Sequence, residues 1–387
     1  MYVDNFYQTI LILIPMVYLF SRILIRELLG VMKKLNIYDV PNTRSAHANK
    51  VPLGAGFSFF IIYTILLVIA YRYDESSTCI ALLTSLSFVV MIGTYDDLID
   101  LSPLHKYLLL FAVACSMLYI NELAITNLNG WLGIELLPWW GGISLSIFVI
   151  LSITNAFNMV DGIDGLSAFL GIFYMLVFGY FFYMLDNRVL SFLCILSIPM
   201  LIAYLRYNFS NEHKFFMGDT GSLLLGFFFS FLALHLLSIS HREALQIIQI
   251  KPENIPVISV SILSIPILDT LRIMGVRLLK GRSPFKADAN HLHHVLTKYW
   301  FSHKTSSILL TLINISIFLT VYLAEPHFYS EGLTLIFCLL MAGWLLFFWV
   351  INKNMAARKL KLLIKKMIVL DFQFIISRLW KRLKKEV

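Results

Sequence analysis

Long apolar runs fill most of the chain, and a few short polar clusters interrupt them. Eleven of these runs approach the ~20 residues that an α-helix needs to cross a bilayer. They cover residues 8–28, 53–72, 77–94, 105–122, 141–157, 166–185, 189–206, 220–240, 256–276, 305–324 and 331–351. The pattern predicts an all-α, polytopic membrane protein of about eleven transmembrane helices over residues 1–352, followed by a basic tail over residues 353–387. That tail interleaves Lys and Arg with Leu, Ile, Phe and Trp380, as an amphipathic helix on an anionic inner leaflet does; a topology anchor with no further role is the alternative of equal standing. The first run has no basic flank before it and no small-residue cleavage site after it, so it reads as a retained span. No internal repeat is visible, which argues against an inverted-repeat transporter.

Composition agrees with a lipid setting: 59% of residues are hydrophobic, 14% are charged, and the mean hydropathy is +0.78. A soluble fold could not hide so much apolar surface. The lipid bilayer is the expected partner, and no nucleic acid is. Basic residues set the orientation, because Lys and Arg are retained on the cytoplasmic side. With the N-terminus outside, 27 of the 31 Lys and Arg residues lie in cytoplasmic segments, leaving Arg72, Arg188, Arg242 and Lys251 outside. The prediction is N-out and C-in. The outer loop over residues 121–142 lacks Lys and Arg and carries Trp131, Trp139 and Trp140, as an interfacial segment would. Cys79, Cys115, Cys194 and Cys338 lie far apart in apolar runs, so they read as small apolar fillers rather than disulfides or zinc ligands.

The polar clusters change the picture from span to site. They are D-V-P-N-T-R-S-A-H from Asp39, Y-D-D-L-I-D from Tyr95, N-A-F-N-M-V-D-G-I-D-G from Asn155, F-M-G-D-T-G-S from Phe216 and S-P-F-K-A-D-A-N-H-L-H-H from Ser283. The predicted topology puts all five on the cytoplasmic side, although the basic-residue count used no motif. Asp96 and Asp97 stand three or four residues from Asp100, close to it if the helix continues. Asn155, Asn158 and Asp161 are spaced three apart, along one side of a helix. Amide and carboxylate oxygens are the hard donors that Mg²⁺ takes, with phosphate and water completing its shell. Gly162, Gly165, Gly218 and Gly221 flank these acids and permit close backbone approach or positive φ, so phosphate oxygens could meet amide donors at a helix N-terminus. His291, His293 and His294, preceded by Arg277, Arg282 and Lys286, supply donors and positive charge for a pyrophosphate; the alternative, neutral histidines as metal ligands, would call for a softer metal than a carboxylate-rich set favours.

Other residues have plainer readings. Asp269 and Arg272 read as a local ion pair, and His105, His213, His235, His241, His303 and His327 as ordinary loop or interface residues. A transporter or lipid flippase would place polar groups at mid-membrane depth and on the outer side. The clusters instead gather at span ends on one face.

These motifs resemble the polyprenyl-phosphate N-acetylhexosamine-1-phosphate transferases, in order and in spacing, from Asp39 to His294. The first motif appears as Asp39, Pro41, Arg44, His47, Pro52, Gly54 and Gly56. Here Ala55 separates the glycines, and Ser45 stands where many relatives have lysine. The D-A-N-H-L-H-H form looks like the branch that uses simple UDP-N-acetylhexosamines. The resemblance implies Asn158 and Asp219 as ligands of Mg²⁺, with Mn²⁺ as a substitute, and Asp161 in support. It puts Asp164 and Phe216 against the uracil. Asp96 and Asp97 become an acidic pair acting as base or lipid-phosphate positioner, and His291, His293 and His294 face the pyrophosphate. Arg44, His47, Asp100, Asn155 and Arg282 complete the expected substrate-binding set. The implied reaction moves N-acetylhexosamine 1-phosphate, GlcNAc-1-phosphate first among candidates, from a UDP-sugar to undecaprenyl phosphate in the bacterial cytoplasmic membrane. Undecaprenyl-diphospho-sugar and UMP are the products, starting an O-antigen, common-antigen or teichoic-acid type polymer. A homodimer is a further family expectation.

Overall fold

The computed structural model describes residues 2–40, 50–72, 77–279, 281, 292, 296–297 and 301–353. Arg44, His47, Arg282, His291, His293, His294 and the basic tail lie outside the described residues. The chain is mostly helical. Its helices are α1 (Tyr2–Lys34), α2 (Gly56–Tyr71), α3 (Ser77–Ile99), α4 (Pro103–Asn121), α5 (Trp139–Val160), α6 (Leu166–Met184), α7 (Arg188–Asn208), α8 (Gly218–Leu237), α9 (His241–Gln246), α10 (Ile255–Ile262), α11 (Ser264–Leu279), α12 (His303–Ala324) and α13 (Ser330–Lys353). Among the described residues nine helices are long and apolar enough to cross a membrane, and a bent pair, Pro252–Ile262 with Ser264–Leu278, makes a tenth. The second predicted run is α2, a helix of only 16 residues. Eleven apolar runs therefore became helices without all becoming full-length spans.

The purely helical expectation needs one amendment. Strands β1 (Tyr38–Asp39) and β2 (Val51–Pro52) pair antiparallel, as do β3 (Asn127–Trp131) and β4 (Ile134–Leu136). The second hairpin is pinned by Trp131 Nε1 donating to Thr334 Oγ1 at 3.1 Å and by the Leu132 N–H donating to Ser330 Oγ at 3.2 Å. Trp139 and Trp140, at the start of α5, are 77% and 69% exposed, as suits interfacial aromatics.

Helix α8 is the centre of the bundle, with 89% of its apolar window buried, against 22% for α1 and 17% for α13. A helix that is apolar all round belongs inside. Its Phe227, Phe228, Phe229 and Phe231 are all buried. Phe229 meets Phe157 of α5 and Tyr174 of α6 at ring centroid distances of 4.9 and 5.1 Å. Tyr63 of α2 meets Phe228 at 4.9 Å.

Lipid tails are as apolar as the side chains, so helices in a membrane are held by close packing and internal hydrogen bonds. Small residues supply the closeness around the first turn of α8. A Cβ on Gly56 would collide with the backbone of Gly221, and one on Gly93 of α3 would stand 2.6 Å from Thr220 Cα. The same turn is tied to the strand before α2, because Gly54 N and Ala55 N both donate to Phe216 O, at 3.1 and 2.9 Å.

The ninth predicted span breaks between α10 and α11, with a bend of 75°. Pro266 is the cause: it has no N–H for Ile262 O, and its ring crowds that carbonyl. Asn314 of α12 mends the break. Its Nδ2 donates to Ile262 O at 2.7 Å, and its Oδ1 accepts from Ile265 N at 3.0 Å and from Tyr174 Oη at 3.1 Å. Beyond the bend, Asp269 and Arg272 form the expected ion pair at 3.0 Å. Asp269 Oδ1 also accepts the Leu292 N–H at 2.9 Å. The acid thus also holds the backbone at Leu292, a role its spacing to Arg272 did not disclose.

Candidate active site

The described polar clusters meet at one end of the bundle, where α3 and α5 finish and α4 and α8 begin. Asp96 lies in the last turn of α3, and its Oδ1 accepts the Leu101 N–H at 2.7 Å, closing the turn into α4. Ser102 caps α4, and the first turn of that helix brings Lys106 back over Asp96. Lys106 Nζ lies 2.7 Å from Asp96 Oδ2, 3.1 Å from Asn158 Oδ1 and 2.6 Å from Asp219 Oδ2. Asn158 is oriented by its amide, which donates to Asp219 Oδ1 at 2.9 Å and Ser222 Oγ at 2.8 Å. Sequence reasoning used Lys106 only to orient the chain. It follows the Tyr95–Asp100 motif by only six residues; what hid its place at the focus of three motifs is that it reaches them across helix ends.

Asp96 and Asp97 are adjacent in sequence and do different things. Asp97 Oδ1 accepts Asp219 N at 2.7 Å, while its Oδ2 accepts Thr220 N at 3.1 Å and Thr220 Oγ1 at 2.7 Å. It is the cap of α8. Gly218, with φ +71°, makes room for that cap: a Cβ there would stand 2.6 Å from Asp97 Oδ2. This corrects the expectation that the G-D-x-G turn leaves its amides free for phosphate, since a carboxylate of the chain already holds them.

Asp161, just past the end of α5, accepts Ser167 Oγ at 2.6 Å. Burial pushes its carboxyl up to about 7; the Ser167 hydrogen bond opposes the rise, and nearby Asp219, Asp164 and Asp97 add to it. Asp164 stands in a second group. Its Oδ2 meets Lys214 Nζ at 2.6 Å and His303 Nδ1 at 3.1 Å, and Lys214 lies over the Phe216 ring at 5.3 Å. Burial works to raise the Asp164 carboxyl, but the hydrogen bonds from His303 and Lys214 outweigh it and hold it below the ordinary value. His303 is therefore no plain loop residue. Nothing in its own neighbourhood of sequence announces a partner 139 positions away.

Two expected members stand apart. Helix α3 stops at Ile99, and Asp100 takes a left-handed backbone, φ +59°, with an exposed side chain. The three-carboxylate cluster that a continuing helix would make does not form. Asn155 donates only a long contact of 3.6 Å to Met159 Sδ and lies one turn below the acidic group.

The donor set suits a hard divalent cation. Asp96, Asn158 and Asp219 turn three oxygens toward one point, already chosen by a positive ammonium. Among the described residues no three His, Cys, Asp or Glu side chains gather as a metal site; what converges here is two carboxylates and one amide. Mg²⁺ accepts such a small mixed set when phosphate and water complete it.

Fold and site together define a multi-pass membrane protein with a carboxylate-amide centre fit for phosphate chemistry at one end of its helices. Residues 79–237, which contain Asp96, Asp97, Lys106, Asn158, Asp161, Asp164 and Asp219, match the model of glycosyl transferase family 4. The chain is 31% identical to the undecaprenyl-phosphate alpha-N-acetylglucosaminyl 1-phosphate transferase of Escherichia coli K12, over 84% of this chain and 86% of that one. It is 30% identical to the Yersinia pestis protein of the same description, over 76% and 79%. A probable undecaprenyl-phosphate N-acetylglucosaminyl 1-phosphate transferase of Bacillus subtilis is 28% identical, over 72% and 75%. The chain belongs to the polyprenyl-phosphate N-acetylhexosamine-1-phosphate transferases of glycosyl transferase family 4.

Proposed function

We propose that the protein transfers an N-acetylhexosamine 1-phosphate, GlcNAc-1-phosphate first among candidates, from its UDP-sugar to undecaprenyl phosphate at the cytoplasmic face of a bacterial inner membrane. The observation that carries this reading is the convergence of Asp96, Asn158 and Asp219 oxygens on one cation position at the helix ends of a membrane bundle. An oxygen of the lipid phosphate attacks the β-phosphorus of the donor. The bond from that phosphorus to the oxygen bridging to the α-phosphate breaks, and UMP leaves with the bridging oxygen. The product is undecaprenyl-diphospho-sugar, the starter of a surface polysaccharide.

Such a reaction is governed by positioning and charge neutralisation. When bound, Mg²⁺ supplies neutralising charge on the diphosphate oxygens, and Asp219 and Asn158, with Asp96 beside them, are the residues that would hold it. Asp97 fixes the backbone on which Asp219 stands. Asp164, Lys214 and Phe216 form the corner proposed for the uracil, with His303 bracing the acid. A phosphate monoester has its second pKa near 6, so the acceptor is already mainly ionised at neutral pH, and no dedicated base is required.

UMP release by the purified protein with undecaprenyl phosphate, Mg²⁺ and a panel of UDP-sugars tests this. Release that needs both lipid and metal and is lost in Asp219→Ala supports the reading and names the sugar. Folded protein that releases no UMP from any donor overturns it.

A further inference from the structure

Lys106 stands where a divalent cation would stand. All three donors of an ammonium group are committed, one each to Asp96, Asn158 and Asp219. Its side chain is only 13% exposed and that of Asp96 only 8%. Oxygens that hold an ammonium at 2.6 to 3.1 Å would have to close to ~2.0–2.1 Å for Mg²⁺. The two cations cannot share the position, so binding one expels the other.

Expulsion raises the question of where the Lys106 charge goes. The acids buried beside it are engaged, Asp97 with the first amides of α8, Asp161 with Ser167, and Asp164 with Lys214 and His303, and Asp100 lies out in the exposed turn before α4. A buried ammonium stripped of its partners is costly. Metal alone must therefore meet that cost, whereas metal arriving with a polyanion brings a new partner for the lysine.

Resting on the transferase reading above, we infer that Lys106 is an internal counter-ion that keeps divalent metal out of the nucleotide-free site and yields only to metal and a nucleoside diphosphate together. Before substrate arrives it also holds Asp96, Asn158 and Asp219 assembled. Coupling of this kind is reciprocal, so the nucleotide strengthens metal binding by the same factor as metal strengthens nucleotide binding.

The test is Mn²⁺ binding to the full-length, detergent-purified protein, read from the electron paramagnetic resonance of free Mn²⁺, with and without UDP. The wild type is expected to bind Mn²⁺ weakly alone and much more tightly with UDP. Lys106→Gln and Lys106→Met are expected to bind Mn²⁺ without UDP at least about tenfold more tightly than the wild type, within the usual range of such couplings. Lys106→Arg, which keeps the charge, is expected to stay weak. A cooperative melting curve in chelator checks that each variant is folded. The proposal is overturned if the neutral variants bind Mn²⁺ without UDP no better than the wild type. It also fails if the wild type binds Mn²⁺ equally well with and without UDP; in both cases the transferase reading survives. Failure of every form to bind Mn²⁺ even with UDP would sink both.

Discussion

Asp97 and Asp219 are joined through main chain: the Asp97 carboxylate accepts the Asp219 N–H at 2.7 Å, while the Asp219 carboxylate points to Lys106 and Asn158. The two acids therefore act in series. One sets the helix end, and the other faces Lys106 and Asn158.

Asp97→Asn keeps one acceptor and loses the charge that opposes the α8 dipole. It should cost about 1–2 kcal/mol of stability and lower UMP release by a similar factor at every pH from 6 to 9. Melting curves and rates across that range check it. Recovery of the rate as pH rises would show that Asp97 takes a proton from the substrate instead.

Gly93→Ala places a methyl group 2.6 Å from Thr220 Cα, against backbone that cannot rotate away. Overpacking of this sort costs about 1–3 kcal/mol. The displaced turn carries Asp219, so turnover should fall more than stability does. Normal rates in a protein that still melts cooperatively would refute the claim that this contact sets the Asp219 position.

Asp161 gives a pH dependence whose sign can be worked out. Its folded pKa is about 7, above the ordinary ~3.9, so the folded state keeps a proton that the unfolded chain gives up. The stability this contributes is complete below pH ~4 and disappears as pH rises through about 7. Asp161→Asn should lack that decline. Thermal melting at pH 5 and pH 8 should differ less in the variant than in the wild type, by up to about 1.4 kcal/mol for each pH step of one between 5 and 7. Parallel profiles would contradict it.

Asn314→Leu removes the side chain that mends the break at Pro266. Ile262 O and Ile265 N lose their buried partners, at about 1–3 kcal/mol each. Because α11 carries Asp269, which grips the Leu292 N–H, the variant should lose turnover as well as melting temperature. A variant as stable as the wild type would show that the bend holds itself.

The sequence made the gross plan legible because apolar runs report spans and their polar ends report a face. Asn158 stood out by helical spacing and by family motif together, Asp219 by the family motif alone. Periodicity could not separate Asp96 from Asp97, which depends on how the chain turns at Asp100 into α4. Lys106, Lys214 and His303 were missed because each meets its acid across helices, and a basic residue near a span end looks the same whether it orients the chain or fills a site. The bend had a visible signal in Pro266, but a proline inside a span does not say whether the helix kinks or continues. Pro199 sits inside α7, which continues through it.

The cap on α8 also bears on how this site can change over evolution. With Asp97 holding the amides of Asp219 and Thr220, the main chain of that helix end has little attraction left for a second anion. Any anion bound there would have to be held by side chains, each replaceable by a single codon. A scaffold that fixes the Asp219 carboxylate through its backbone and leaves anion contacts to exchangeable residues can change those contacts without moving that carboxylate.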